Sequence, residues 1–246
     1  MDTSISMNAR DVTPSRMEKA KYELGRLINN LNGDRIGIIA FAGTAHLHCP
    51  LTEDYSAAQL FLNTLDTDII SNQGTDVATP IELALDYISS DDKQFKVLIL
   101  VSDGEDNQGE AINIAKKAAE SGVIIHSLGI GTKAGAPIPL FDENGRRKEF
   151  KKDLSGRVVT STLNAALLDE ISQLTGGIFI RIENQVNAIT PLLQKLEEME
   201  KRQIKSHIFS QYEDRYQIFL LIGLLLFLME FIIPTRTKEE AIWKGR

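Results

Sequence analysis

The fold is decided by Lys96-Val-Leu-Ile-Leu-Val-Ser102, a stretch that leads directly into Asp103-Gly104. An uninterrupted aliphatic run has no polar side to offer to solvent, which predicts a strand covered on both faces, as in a parallel sheet. The polar turn after it places Asp103 at the carboxyl end of the strand, where open parallel sheets bind ligands. This stretch therefore predicts both an α/β fold and the position of a functional site.

Outward from this strand, apolar runs alternate with helical segments. Further strands are predicted at 35–42, 45–51, 123–130 and 177–182. Helices are predicted at 14–31, 54–65, 76–89, 110–121 and 163–174. Repeated strand–helix units indicate a Rossmann-like α/β fold, with a mostly parallel sheet covered by helices on both faces.

The pattern predicts one α/β domain over residues 1–185, interrupted at 132–160 by a β-hairpin insertion with a turn at Asp142-Glu-Asn-Gly145. A charged connecting helix follows at 186–215, then a transmembrane helix at 216–234 and a short basic tail at 235–246. The net charge of −7 argues against a nucleic-acid partner, because no basic excess is present to neutralise phosphates. The single cysteine, Cys49, excludes an internal disulfide.

The transmembrane prediction rests on a run from Ile218 to Ile233 that is apolar except for Glu230. Sixteen residues span roughly 24 Å as a helix, less than the ~30 Å hydrocarbon core, so flanking residues must extend the span. A buried core helix is the alternative. The membrane is favoured because the helix has no polar face and is followed by a short basic tail.

Three short polar stretches contain the residues expected to carry chemistry. Asp2-Thr-Ser-Ile-Ser6 has the pattern D-x-S-x-S, Thr75 precedes a predicted helix, and Asp103 follows the strongest strand. Hydroxyl and carboxylate oxygens are hard ligands that suit Mg²⁺. Together these residues resemble the metal-ion-dependent adhesion site of von Willebrand factor A and integrin I domains. The resemblance implies that Ser4, Ser6 and Thr75 are ligands of the ion. It also implies that Asp2 and Asp103 act largely through water and that a carboxylate of the partner fills the remaining coordination position. Mg²⁺ is expected, with Mn²⁺ and Ca²⁺ as alternatives.

The resemblance narrows to one bacterial family. The segments 7–21, 135–139 and 212–217 are similar to the corresponding parts of the Bat (Bacteroides aerotolerance) proteins. This implies an inner-membrane protein with a periplasmic adhesion-type domain, associated with other Bat proteins and a MoxR-type AAA+ ATPase. In this fold the D-x-S-x-S motif ends a central strand. Because the motif starts here at Asp2, the first central strand is expected to be missing from the sheet.

Alternatives to a metal-dependent interaction module are a Mg²⁺-dependent hydrolase or phosphatase, and a scaffold with a vestigial metal site. The hydrolase is disfavoured because the sequence shows no base at a suitable offset from Asp2. A zinc site at His46-Leu-His48-Cys49 is disfavoured because no second ligand pair has zinc spacing. His126, inside an apolar strand, is expected to be a core histidine with its hydrogen bonds satisfied.

Overall fold

The computed structural model describes residues 1–88, 96–106, 109–142, 146–210 and 216–232. It divides into two compact units, Met1–Gln203 and Ile204–Arg246. The first unit extends beyond the predicted domain boundary at residue 185, because Ile189 and Leu192 are buried in its core. The prediction of a basic tail at 235–246 lies outside the described residues, as do residues 143–145 of the predicted hairpin turn and 211–215 of the predicted connecting helix.

The strands of the first unit form two principal sheets. Strands β1 (Ile36–Phe41) and β2 (Ala45–Thr52) pair antiparallel. Strands β3 (Lys96–Ser102), β4 (Val123–Ile130) and β9 (Phe179–Ile182) pair in parallel, in the order β3-β4-β9. The parallel sheet is thus confirmed for three strands, whereas β1 and β2 form a hairpin because only a three-residue turn separates them.

Residues 1–3 lie between these two sheets. Asp2 N–H donates to the Val101 carbonyl at 2.8 Å, and Thr3 N–H donates to the Phe41 carbonyl at 2.7 Å. An isolated parallel bridge joins Asp2 to Phe41. Residues 1–3 therefore occupy only the part of the expected central strand that lies beside the carboxyl ends of β1 and β3.

The described residues of the first unit include the helices α1 (Arg16–Ile28), α2 (Tyr55–Thr64), α3 (Ala78–Tyr87), α4 (Ala111–Glu120) and α5 (Ala165–Leu174). Several start where a side chain satisfies a free backbone N–H group. Ser15 caps α1 through the Glu18 N–H, and Asp54 caps α2 through the Ala57 N–H. The helix α4 ends before Gly122, whose φ of +73° suits glycine after a helix.

Two apolar clusters form the core. The first contains Met17, Leu27 and Ile28 of α1 together with Leu128 and Ile130 of β4. The second contains Ile114 of α4, Leu168 and Ile171 of α5, and Ile125 of β4. Alternate residues of β4 thus enter opposite clusters, as expected for a strand buried on both faces. The helical layers hold the carboxyl ends of β3 and β4 in fixed positions.

The predicted insertion at 132–160 consists of short strands. Strand β5 (Ala136–Pro137) pairs with β8 (Thr160–Ser161), and β6 (Pro139–Phe141) pairs with β7 (Arg147–Phe150), both antiparallel. Ser161 is fully buried, whereas Leu154 and Arg157 near the far end of the insertion are exposed. The insertion is therefore anchored to the domain at the base of β8.

The helix α6 (Thr190–Ser210) starts in the first unit, and α7 (Tyr216–Ile232) belongs to the second. The large apolar side chains between positions 219 and 229 of α7 are 49–77 % exposed. No helix within the described ranges combines the length and the apolar character needed to cross a membrane.

Candidate metal centre

The D-x-S-x-S motif folds into a tight loop that brings its hydroxyls together. Ser4 Oγ lies 2.8 Å from Ser6 Oγ, and both residues are buried. A 3₁₀ turn over Ile5–Asn8 follows, so the chain turns back on itself at the second serine. The fully buried Asp2 orients the loop, because its Oδ1 accepts a 2.8 Å hydrogen bond from Ser4 N–H.

Ser102, the last residue of β3, joins the motif to the second loop. Its hydroxyl donates to Asp2 Oδ2 at 2.6 Å and accepts from Gly104 N–H at 2.9 Å. Gly104 has a φ of +74°, and a Cβ there would lie 2.6 Å from the Asn164 carbonyl oxygen. Only glycine fits this position without strain, so the loop after β3 can pack tightly against the start of α5.

The two aspartates place negative charge in a dry environment. Asp2 and Asp103 are both fully buried. Burial, with a further contribution from the charge of Asp103, raises the pKa of Asp2 to about 7. Two buried carboxylates whose charges act on each other favour a nearby cation.

The loop that carries Thr75 is tied to the motif from the other side. Ile5 N–H donates to Gln73 Oε1 at 3.1 Å, and Asp76 N–H donates to the Ala42 carbonyl, one residue beyond β1, at 2.9 Å. Thr75 itself is buried. Asp76 starts α3 by accepting from the N–H groups of Ala78 and Thr79. The three predicted loops therefore converge at the carboxyl end of the sheets.

Arg16, the first residue of α1, is a fully buried cation beside Asp103. Its Nη1 donates to Asp103 Oδ2 at 2.8 Å and to Ser161 Oγ at 2.7 Å. Its Nε and Nη2 form a two-point pair with Asp11 at 2.8 and 2.9 Å. Although burial opposes its charge, these carboxylates raise the pKa of Arg16 above its ordinary value.

Asp11 extends the network to the insertion. Besides pairing with Arg16, its Oδ2 accepts from Thr132 N–H at 2.8 Å and from Thr132 Oγ1 at 3.1 Å. Burial opposes its ionisation, but hydrogen bonds from Arg16 and Thr132 hold the pKa of Asp11 below its ordinary value. Ser161 Oγ in turn lies 3.1 Å from Asp103 Oδ2. A continuous polar network thus connects Asp103 with Ser161 of β8 and, through Arg16 and Asp11, with Thr132.

The donor set fits a hard divalent ion. Within the described parts of the chain, no three His, Cys, Asp or Glu side chains are grouped so that they could hold a metal ion. The groups that would hold an ion at this edge are the hydroxyls of Ser4, Ser6 and Thr75, with support from the buried carboxylates of Asp2 and Asp103. Hydroxyl and water oxygens around two carboxylates suit Mg²⁺ better than Zn²⁺, which prefers nitrogen and sulfur.

The structure places Asp2, Ser4, Ser6, Thr75 and Asp103 on the three predicted loops at one edge of the sheets. Sequence reasoning missed Arg16, Ser102 and Ser161. The position of Arg16 in the sequence did indicate a buried partner. A cation in the first turn of a helix opposes the helix dipole and needs a compensating negative charge. The residues weighed as an alternative zinc site, 46–49, contact other groups. His48 Nε2 lies 3.0 Å from both Phe61 O and Thr64 Oγ1, and the thiol of the buried Cys49 lies 3.4 Å from Pro50 O.

Comparison with known proteins agrees with this geometry. The sequence profile of the von Willebrand factor type A domain matches residues 1–105, and the α/β fold described above is of this class. The chain is 38% identical to the conserved hypothetical protein BatB of Bacteroides thetaiotaomicron, with a TM-score of 0.77 over 81% of this chain and 96% of that structure. It is 34% identical to an aerotolerance-related membrane protein of Bacteroides fragilis, with a TM-score of 0.73 over 82% and 96%. The chain belongs to the Bat family of von Willebrand factor A proteins.

Other relatives are more distant. An uncharacterised protein of Borreliella burgdorferi is 26% identical over 98% of this chain, and a UPF0353 protein of Nocardia farcinica is 27% identical over 80%. The chain spans 69% and 61% of their lengths, respectively. Proximal thread matrix protein 1 of the mussel byssus, solved with a zinc-occupied MIDAS motif, shares the fold at 18% identity. Its TM-score is 0.59 over 80% of this chain and 43% of that one.

Proposed function

We propose that this protein is a membrane-anchored, metal-dependent interaction module and not an enzyme. Its von Willebrand factor A domain holds one divalent ion, Mg²⁺ in the first instance, with Mn²⁺ and Ca²⁺ as alternatives. Ser4, Ser6 and Thr75 supply hydroxyl ligands, and Asp2 and Asp103 support the ion directly or through water.

The observation that carries this proposal is the Ser4–Ser6 hydroxyl pair. Two buried hydroxyls 2.8 Å apart, in a loop oriented by a buried carboxylate, form part of a hard-oxygen site. Two carboxylates offset the charge of a divalent ion, while neutral hydroxyls add little negative field. The ion therefore remains electrophilic towards an incoming carboxylate. The zinc-occupied MIDAS motif of the mussel protein supports the idea that this fold can hold a divalent ion at such a motif.

The partner is a protein that offers an acidic residue to the ion. The assembly proposed for this contact consists of other Bat proteins and a MoxR-type AAA+ ATPase, as the resemblance to the Bat proteins implies. The location proposed is the bacterial inner membrane, with the von Willebrand factor A domain on the periplasmic side and the tail in the cytoplasm. Cysteine-accessibility labelling from both sides tests this topology, and labelling of the tail in intact cells would reverse it.

The proposed anchor is a single span over residues 216–234. The support comes from α7, whose large apolar side chains are 49–77 % exposed. Exposed apolar surface of this extent marks an interaction site, and a helix that is apolar all round suits lipid. Its 17 described residues extend roughly 26 Å, so the residues beside them are needed to reach ~30 Å.

The test is Mn²⁺ binding by the full chain in detergent, measured by calorimetry. Replacing both Ser4 and Ser6 by alanine removes two proposed ligands, so binding should be lost. Replacing both Ser127 and Ser172 by alanine is the matched control, because these fully buried hydroxyls also lie 2.8 Å apart but belong to a different region of the fold. Equal Mn²⁺ affinity in the two double variants would refute the proposed ligands.

A second measurement tests the role of the ion. Pull-down of co-expressed Bat proteins should fail in EDTA and recover on addition of Mg²⁺ or Mn²⁺. Asp103→Ala should also abolish it, provided that circular dichroism shows a retained fold. Chelator-insensitive capture would leave the scaffold with a vestigial site as the better description, whereas metal-dependent turnover of a phosphate ester would favour the hydrolase.

A further inference from the structure

Arg16 combines a fully buried charge with a position at the start of a helix. A cation at the first position of a helix is unfavourable, because the N–H groups there already carry positive partial charge. Arg16 is nevertheless fully buried at this position in α1. Such a placement is stable only because Asp11 and Asp103 compensate the charge.

Arg16 contacts Asp11 and Asp103 through different nitrogens of its guanidinium group. Its Nε and Nη2 edge faces Asp11, while Nη1 faces Asp103. Asp103 Oδ2 therefore accepts from Arg16 Nη1 at 2.8 Å and from Ser161 Oγ at 3.1 Å. Asp103 Oδ1 accepts a weaker 3.2 Å bond from Glu105 N–H. One oxygen of Asp103 is thus firmly committed to Arg16 and Ser161, and the other is more available.

We propose that Arg16 is a positioning residue that keeps Asp103 Oδ2 engaged in a hydrogen bond and lowers the affinity of the site for the bare ion. The site then stays incompletely coordinated until a partner carboxylate arrives. This inference rests on the proposed function and specifies how the same site is tuned.

Two effects of removing Arg16 oppose each other. Loss of a hydrogen bond that orients a supporting carboxylate weakens metal binding, by about 10- to 100-fold in known sites. Loss of a buried positive charge from the site strengthens cation binding, because like charges repel more strongly where burial reduces their screening by water. The proposed role requires this second effect to be the larger one. If Arg16 is only structural, its removal should weaken metal binding. If it limits the affinity as proposed, its removal should tighten metal binding. The direction of the change in affinity therefore distinguishes the two roles.

The experiment measures Mn²⁺ affinity of the full chain in detergent by calorimetry. Arg16→Gln removes the charge and should tighten Mn²⁺ binding by about tenfold. Arg16→Lys keeps the charge but loses the planar fork, so its affinity should stay within about threefold of the unchanged protein. The increase in melting temperature on Mn²⁺ addition should also be larger for Arg16→Gln than for the unchanged protein, because the ion replaces the missing charge.

Arg16→Gln leaves Asp11 and Asp103 buried without a counter-charge, and it can unfold for that reason. The double variant Asp11→Asn with Arg16→Gln removes one charge of each sign and so limits this cost. Because Asp11 lies on the edge of the guanidinium that faces away from Asp103, the double variant should still bind Mn²⁺ more tightly than the unchanged protein. Circular dichroism establishes that each variant is folded.

The outcomes separate the two proposals. Failure of the unchanged protein to bind Mn²⁺ overturns the proposed function and this inference with it. Binding by the unchanged protein, together with equal or weaker binding by folded Arg16→Gln or by the folded double variant, overturns this inference alone. Tighter binding in both variants establishes Arg16 as the residue that limits the affinity for the bare ion.

Discussion

Ser102 Oγ lies 2.6 Å from Asp2 Oδ2, and this hydrogen bond joins residues that are 100 positions apart. The same hydroxyl accepts from Gly104 N–H, so Ser102 connects the D-x-S-x-S loop with the loop after β3. Neither loop can change its position without breaking a buried hydrogen bond. The arrangement of the site therefore depends on a side chain that is not among the proposed ligands.

Ser102→Ala should weaken Mn²⁺ binding by about tenfold, because Asp2 loses the group that orients its second oxygen. The free energy of unfolding should fall by about 2 kcal/mol, as for loss of a buried hydrogen bond to a charged group. Ser127→Ala removes a fully buried hydroxyl that bonds to Ser172, so it should cost stability without changing affinity. Calorimetry and chemical denaturation measure both quantities, and unchanged affinity in Ser102→Ala would contradict the orienting role.

His126 predicts a pH dependence of stability. The sequence led us to expect a satisfied core histidine, and the burial is confirmed. However, only Nδ1 has a partner, since it accepts from Ile178 N–H at 3.0 Å while Nε2 has none in the described structure. Burial, with a smaller contribution from Lys195, lowers the pKa of His126 to about 4.

The unfolded chain binds a proton at this histidine near pH 6.5, whereas the folded chain does not until about pH 4. The stability should therefore fall as the pH decreases through this window, by on the order of 3 kcal/mol from this residue. His126→Asn keeps an acceptor for Ile178 N–H but does not titrate. The difference in unfolding free energy between the two proteins should change between pH 7 and pH 4, and parallel curves would contradict the assignment.

Gly177 and Gly25 should respond oppositely to alanine. A Cβ at Gly177 would lie 1.9 Å from the Ile125 carbonyl oxygen, so Gly177→Ala must displace backbone and should cost about 3 kcal/mol or more. A Cβ at Gly25 would lie 3.0 Å from the flexible side chain of Gln59. Because Gly25 is inside α1, Gly25→Ala should be neutral or stabilising by up to about 1 kcal/mol. Urea denaturation compares the two, and similar losses would show that the contact at Gly177 is not limiting.

Charge placed in α7 should release the protein from the membrane if residues 216–234 are the anchor. Replacing Leu224 and Leu225 by arginine costs about 3 kcal/mol per residue on insertion scales. The double variant should then be extracted by alkaline carbonate, while the unchanged protein should remain with the membranes. Leu60→Arg is the control, because Leu60 is an exposed leucine of the first unit. Carbonate extraction of the unchanged protein would refute the span.

The sequence predicted the bounds of the buried strands better than the helix ends or the direction of strand pairing. The strands Lys96–Ser102 and Val123–Ile130 were predicted with the bounds that the structure shows, because continuous aliphatic runs are a strong local signal. Most helix ends were displaced, by up to three residues, as at α1, which was predicted from position 14 and starts at Arg16 after the capping Ser15. The antiparallel pairing of β1 with β2 was not predicted, since strand direction follows from chain connection and not from side-chain pattern.

The sequence by itself determined the strand–helix alternation, the family resemblance and the set of candidate ligands, because these depend on local periodicity and on short motifs. Tertiary structure alone decided which groups surround the candidate ligands. Arg16 meets Asp103 across 87 positions and Ser161 meets Asp103 across 58. No local pattern encodes such contacts. They form because the order β3-β4-β9 and the packing of α1 bring distant loops together in a buried region, where each charge must find a partner.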